Sequence, residues 1–117
     1  MKKTFPDSVR KNLKHSISYA INFTRKLLKE KKSEFVCESV IQLIRDIYLF
    51  KKGKNLEESV IGGAEELSLG FTELEKNTIK LIEKSMRKEE YYKETCGYIN
   101  LDLLNSILLK IEKYLYE

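Results

Sequence analysis

Apolar residues recur at spacings of three and four along most of the chain, and this periodicity constrains the fold more than any other feature. The first stripe runs from Val9 through Leu13, Ile17 and Ile21 to Leu27. Residues at these spacings share one face of an α-helix. One proline and five glycines leave little of the turn punctuation that an all-β fold needs. The sequence therefore predicts an all-α fold.

The segments between the predicted helices are short, at residues 32–33, 53–55 and 97–100. Short connections make sequential helices antiparallel neighbours. We therefore predict an antiparallel helical bundle of four to five helices that forms a single domain over residues 1–117. A chain of this length buries about two-thirds of its unfolded surface, which suffices for one core without disulfides or metals.

Capping patterns predict where the first two helices begin and end. The first covers residues 5–31 and starts with a capping box from Thr4 to Asp7. The second starts with Ser33 as its N-cap and ends at Gly53, since glycine is the usual residue after a helix C-terminus.

Three further caps predict the second half of the chain. A capping box at Asn55 starts the third helix, and another at Thr72 starts a fourth that continues to a stop at Gly97. The apolar stripe keeps its phase past Gly70, so one kinked helix is the alternative, but we favour a break there. Asn100 is the predicted N-cap of the last helix.

The second predicted helix is apolar around most of its circumference, which is typical of a helix buried on several sides. Among its apolar positions, Val40, Ile44 and Ile47 are predicted to be core residues.

Positive charge is concentrated in the first quarter of the chain. The net charge is +4, yet residues 1–32 carry ten Lys or Arg against two Asp or Glu, and the remainder is net negative. The candidate basic binding face consists of Lys11, Lys14, Arg25, Lys29 and Lys32. It lies opposite the apolar stripe and is about 30 Å long. Such a row suits phosphates or an acidic protein partner, and a plain solvated helix exterior is the other interpretation.

Arg10 and His15 are separated by four residues, and this Arg-x4-His pair resembles the motif of the HEPN-domain ribonucleases, which are also small helical bundles. The resemblance implies that Arg10 and His15 contact a scissile phosphate and assist proton transfer. It covers two residues, lies on the first helix rather than a late one, and has Lys11 where the family has Asn, Asp or His. On an unbroken helix the two positions are about 140° apart.

Small residues and tyrosines mark a candidate interface at Gly62, Gly63, Tyr98 and Tyr114. Glycines inside a helix cost about 1 kcal/mol each relative to alanine, so a close approach is expected at Gly62 and Gly63. A tight contact inside the monomer, a dimer contact and a ligand cleft are the alternatives. Tyrosine is favoured at interfaces, and we predict a homodimer.

The sequence predicts no catalytic residue, no cofactor site and no metal site. His15 is the single histidine, and Cys37 and Cys96 are 59 positions apart, so no metal-ligand spacing is present. We expect both cysteines to be buried thiols, which fits a reducing cytoplasm. No apolar run is long enough for a membrane span, and no secretory signal is visible.

These observations predict a small non-catalytic helical-bundle protein, such as an adaptor, accessory subunit or regulator, that binds a macromolecule. A protein partner, a second copy of the chain, or both are expected. The alternative is a bundle that binds RNA or DNA through the basic face of the first helix. The HEPN-like ribonuclease using Arg10 and His15 is the enzymatic alternative.

Overall fold

Six α-helices and no strand make up the regular structure of the part of the chain that the computed structural model describes, which is residues 6–87 and 89–117, with the backbone alone for 89–93. The helices are α1 (Asp7–Lys29), α2 (Ser33–Lys52), α3 (Val60–Leu67), α4 (Glu73–Met86), α5 (Glu89–Tyr98) and α6 (Leu101–Tyr116). The predicted all-α helical bundle is confirmed.

Helix α2 is the centre of the bundle, because it packs against each of the other five helices. Val40, Ile44 and Ile47 are fully buried, so their prediction as core residues is confirmed. Ile17 and Ile21 of α1 are buried in the same apolar cluster. The wide apolar face of α2 thus has a simple cause, since neighbours surround the helix on several sides.

The ends of α1 and α2 lie close to their predicted positions. Helix α1 ends at Lys29, and Lys31 adopts a left-handed conformation with φ of 58°. Ser33 is the first residue of α2 and not its N-cap, since the N-cap is Lys32 and makes no side-chain capping bond. Gly53, with φ of 74°, ends α2 as predicted. The predicted capping box at Thr4 lies outside the described residues.

The start of α3 differs from the prediction, because Asn55 does not cap it. The N-cap is Ser59, whose hydroxyl accepts a hydrogen bond from the Gly62 amide at 3.1 Å. The amide of Val60 donates to both carboxylate oxygens of Glu83 at 3.1 Å. A carboxylate at a helix N-terminus is favoured by the helix dipole, and this one comes from α4.

Helices α3 and α4 are separate, as favoured, and Gly70 with φ of 78° lies in the turn between them. The predicted capping box at Thr72 is present, with Glu75 as its partner. The predicted continuation of this helix to residue 96 is wrong, because α4 ends at Met86 and Gly97 lies inside α5. Helix α5 packs against both α2 and α4. Asn100 caps α6 as predicted, accepting from the Asp102 amide at 2.7 Å.

Candidate interaction site

A groove of about 700 Å³ lies over α2, between α1 and α4, which both pack against it. We call this feature the α2 groove. Its apolar lining consists of Phe23 and Leu27 of α1, Phe35 and Ile41 of α2, and Met86 of α4. Its volume is within the range of pockets that hold ligands in other proteins.

Two half-exposed phenylalanines dominate the lining of the α2 groove. Phe23 is 48% exposed and Phe35 is 52% exposed, whereas Leu27 and Ile41 are buried and form an apolar floor. Contact with water at two large aromatic side chains is unfavourable by about 25 cal/mol for each Å² of apolar surface. A partner that covered both rings would recover this free energy.

One ion pair in the lining of the groove connects helices of the bundle. Arg45 lies 3.4 Å from Glu83, and Glu83 also accepts hydrogen bonds from the Val60 amide. The pair therefore joins α2, α3 and α4. The remaining charged residues of the lining are exposed: Lys32, Glu38 and Arg87. With Arg45 and Glu83 neutralising each other, these three give the lining a net charge of one positive unit; Lys32 also lies 3.7 Å from Glu30, which does not line the groove.

The sequence pattern did not identify this groove. Phe35 falls within the broad apolar face of α2, and Phe23 lies beside the apolar stripe of α1, so periodicity alone does not distinguish either residue from a core residue. A single sequence does not show which two helices around α2 stay apart. The usable signal was the position of Phe35 in the first turn of α2.

The structure divides the candidate basic face into paired and unpaired cations. Arg25 lies 2.7 Å from Glu112 of α6, and Lys32 lies 3.7 Å from Glu30. The Lys14 ammonium lies 5.7 Å from the centre of the Tyr116 ring. Lys11 and Lys29 are exposed, and no carboxylate within the described residues forms an ion pair with either of them.

The Arg10–His15 pair lies on an unbroken part of α1. The Arg10 guanidinium lies 4.8 Å from the centre of the Phe50 ring on α2, while His15 is exposed. The regular helix keeps the two side chains about 140° apart around its axis. The structure does not bring these two groups together at one point.

The candidate interface residues lie on three different helices. Gly63 is buried in the first turn of α3, where an added Cβ would lie 2.7 Å from the side chain of Leu56. At least one of the close approaches expected at Gly62 and Gly63 is therefore a contact between residues of the same chain. Tyr98, at the end of α5, is strongly exposed, and Tyr114 of α6 packs partly against the core.

Glu75 is a buried carboxylate that the sequence pattern identified solely as a capping residue. It is 2% exposed, accepts from the Thr72 amide at 2.7 Å and from the Ser106 hydroxyl at 2.6 Å, and forms an ion pair with Lys110. Burial favours a raised pKa for Glu75, but the interactions with Lys110, Ser106 and Thr72 outweigh it and lower the pKa below its ordinary value. This cluster fastens α4 to α6.

Two other side chains also have pKa values that their surroundings shift. Hydrogen bonding to Glu66, followed by burial and the nearby Glu58 and Glu57, raises the pKa of Tyr48 to about 12. Burial raises the pKa of Asp46, although a hydrogen bond from Gln42 opposes it.

Within the described residues, no group of three or more His, Cys, Asp or Glu side chains is arranged to hold a metal ion. None of the described helices is both long and apolar enough to cross a membrane.

Comparison with known proteins gave no relative: the chain matches no protein-family model, no curated protein and no solved structure.

Proposed function

We propose that this protein is a non-catalytic interaction protein that binds an amphipathic α-helix of a partner protein in the α2 groove. The observation that carries this proposal is the pair of half-exposed phenylalanines, Phe23 and Phe35, above the buried floor of Leu27 and Ile41. A groove flanked by two helices accepts a further helix through its apolar face, with anchors at helical spacing. Burial of aromatic anchors supplies most of the binding energy in such contacts.

The charge of the rim indicates the chemistry of the partner. Among the residues that line the groove, Lys32 and Arg87 oppose a single exposed carboxylate, Glu38, once the Arg45–Glu83 pair is set aside; Glu30, which pairs with Lys32 at 3.7 Å, is exposed and does not line the groove. Complementary charge steers association and discriminates among partners. We therefore infer that the partner helix carries acidic residues beside its apolar stripe.

Two designed helical peptides test this function directly. Both have the same leucine stripe, and their polar faces carry either glutamate or lysine. We expect the glutamate peptide to bind about tenfold more tightly, which corresponds to about 1.4 kcal/mol. A Phe23→Ser, Phe35→Ser double variant should weaken that binding by at least about tenfold, since its anchors are lost. Fluorescence anisotropy measures each Kd.

Leu81→Ser is the matched control. Leu81 is 51% exposed, nearly the same as Phe35, but it does not line the groove. Its affinity for the peptide should equal that of the unchanged chain. Equal binding by the double phenylalanine variant would contradict the proposal, as would no binding of either peptide. Sedimentation of the unliganded chain tests the predicted homodimer: loss of a dimer in the double phenylalanine variant would identify a second copy as the occupant.

A second candidate function is the binding of RNA or DNA through α1, and it is favoured by Lys11 and Lys29, which are exposed and form no ion pair with the described carboxylates. Lys14 is exposed as well, beside Tyr116. Lysines supply charge without the fork of donors that reads bases, so this binding would have little sequence preference. Arg25 contributes less to such a surface, because Glu112 neutralises it.

Salt dependence tests the second candidate. If Lys11 and Lys29 contact phosphates, a Lys11→Ala, Lys29→Ala variant should lower the slope of log affinity against log salt by about two units, since each contact releases counterions. The control is Lys80→Ala, Lys84→Ala, which removes two exposed lysines from α4. A filter-binding Kd above about 100 μM for the unchanged chain at about 50 mM salt would contradict nucleic-acid binding.

The proposed location is the cytoplasm. Cys37 and Cys96 are both buried thiols rather than a disulfide, and thiols of this kind suit a reducing compartment.

A further inference from the structure

Arg45 places a guanidinium in the lining of the α2 groove, away from its aromatic end. The α2 residues that line the groove begin at Phe35 and end at Arg45, and ten residues of helix extend about 15 Å. Phe35 is half-exposed at one end of this stretch, and Arg45 carries a positive charge at the other. The Arg45 side chain is 39% exposed, so a ligand in the groove has access to it.

The contacts of Arg45 use only part of its hydrogen-bonding capacity. A guanidinium has five N–H donors. Within the described residues, Arg45 donates to the Leu56 carbonyl through Nη1 and to Glu83 Oε2 through Nη2, both at 3.4 Å. Both distances are long for a hydrogen bond to oxygen. These two contacts hold the guanidinium in place and leave further donors for a ligand.

Glu83 is shared between Arg45 and the start of α3. Both of its carboxylate oxygens accept from the Val60 amide at 3.1 Å, which is closer than the 3.4 Å to Arg45. The first amides of a helix carry partial positive charge, so they compete with Arg45 for this carboxylate. Glu83 cancels the charge of Arg45 at long range, but at contact distance the guanidinium still has donors for a second carboxylate.

We propose that Arg45 is the specificity-determining residue of the α2 groove, where its guanidinium binds the side-chain carboxylate of a glutamate or aspartate on the partner helix; this role rests on the proposed function of the groove. A helix that lies along α2 with an apolar anchor over Phe35 reaches Arg45 about ten residues away from that anchor. The rim charges of Lys32 and Arg87 steer the partner, whereas Arg45 fixes the position of one acidic residue beside the apolar stripe.

A glutamate scan of a helical peptide tests this role. The parent peptide has the leucine stripe, glutamine on its polar face and blocked termini, and each derivative carries one glutamate beside the stripe. With the unchanged chain, we expect a glutamate at one position to lower the Kd about fivefold relative to the parent. In Arg45→Gln this gain should vanish. Fluorescence anisotropy measures each Kd, after circular dichroism has shown that each variant is helical.

A variant of Glu83 distinguishes carboxylate binding by Arg45 from a purely structural role. Glu83→Gln keeps an oxygen that can accept from the Val60 amide but removes the charge that repels a second carboxylate at Arg45. The gain from the glutamate should therefore exceed that of the unchanged chain. If the Arg45–Glu83 pair only held the helices together, Arg45→Gln and Glu83→Gln would weaken the parent and glutamate peptides equally.

Arg25→Gln is the matched control. Arg25 also joins two helices through an ion pair, 2.7 Å from Glu112, and its side chain is 32% exposed, but it does not line the groove. The gain from the glutamate should equal that of the unchanged chain. If Arg45→Gln does not fold, Arg45→Lys takes its place. It keeps the charge without the planar fork of donors, so the gain should fall to about twofold or less.

The results separate the role of Arg45 from the function of the groove. If Phe23→Ser, Phe35→Ser weakens binding of the parent peptide but no glutamate gain depends on Arg45, the groove binds a helix and the role of Arg45 is overturned. A gain that falls in Glu83→Gln, or that disappears in Arg25→Gln, also overturns it. Failure of every peptide to bind the unchanged chain contradicts the function of the groove, and the role of Arg45 with it.

Discussion

Replacing Ile44 with alanine is expected to lower the free energy of unfolding by about 2–5 kcal/mol. Ile44 is fully buried near the middle of α2, the helix against which all others pack. Truncation removes apolar atoms from the core and leaves a cavity that the surrounding helices cannot fill completely. Urea unfolding followed by circular dichroism measures the loss.

Lys51→Ala is the control on the same helix, because Lys51 is exposed in its last turn. It should change the free energy of unfolding by no more than about 0.5 kcal/mol. A loss that small for Ile44→Ala would contradict the central position of α2. The dependence of the free energy on urea concentration should stay the same in both variants, since both unfold from the same compact bundle.

Much of the fold could be predicted because the features that specify it are local. The apolar stripe of α1 and the broad apolar face of α2 follow from helical periodicity. This periodicity is the same whichever helices pack against the two faces. Gly53, Thr72 and Asn100 act as caps through bonds or backbone angles within a few residues. Caps of this kind can be recognised from the sequence, because the residues that form them are close together in the chain.

The errors occur where another helix decides the outcome. A capping box at Asn55 is locally reasonable, yet α3 begins at Val60, where Ser59 caps the helix and Glu83 of α4 accepts hydrogen bonds from its first amide. The end of α4 at Met86 has no local signal, since the residues that follow include good helix formers. Cys96 is fully buried, and α5 packs against α2 as well as α4.

The candidate sites also differ in how far they could be predicted from the sequence. Lys11, Lys14, Arg25 and Lys29 follow from α1 alone, and these lysines are exposed as the helical spacing implies. The prediction that Lys32 continues this face along the first helix is wrong, because α1 ends at Lys29 and Lys32 is the N-cap of α2. The partner of Arg25 could not be predicted, because Glu112 is 87 positions away on α6. The α2 groove also depends on how helices are arranged around α2, and periodicity does not encode that arrangement.

Removing the cation beside the buried carboxylate should produce a loss of stability that depends on pH. Lys110→Ala leaves Glu75, which is 2% exposed, without its ion-pair partner. We expect the variant to lose about 3 kcal/mol at pH 7, because an unpaired buried charge is costly. The hydrogen bonds from Ser106 and the Thr72 amide remain and limit the loss.

The sign of the pH effect follows from the pKa of Glu75. In the unchanged chain folding lowers this pKa, so the ionised carboxylate stabilises the fold above the ordinary value of about 4.3. That contribution is lost as the pH falls through the lowered value. In Lys110→Ala, burial is no longer opposed by the cation, so the pKa rises and Glu75 takes up a proton more readily. The difference between the two chains should therefore shrink as the pH falls from 7 towards about 3.

Two further variants isolate the charge of Glu75 from the loss of a side chain on α6. Lys113→Ala removes an exposed lysine whose partner, Glu117, lies 3.9 Å away, and it should cost less than about 0.5 kcal/mol at every pH. Glu75→Gln keeps an oxygen that can accept from the Thr72 amide but carries no charge. Combined with Lys110→Ala, it should restore part of the stability at pH 7, because no buried charge then lacks a partner. A loss in Lys110→Ala that is the same at all pH values, and is unchanged by Glu75→Gln, would show that Lys110 stabilises the bundle through its alkyl chain.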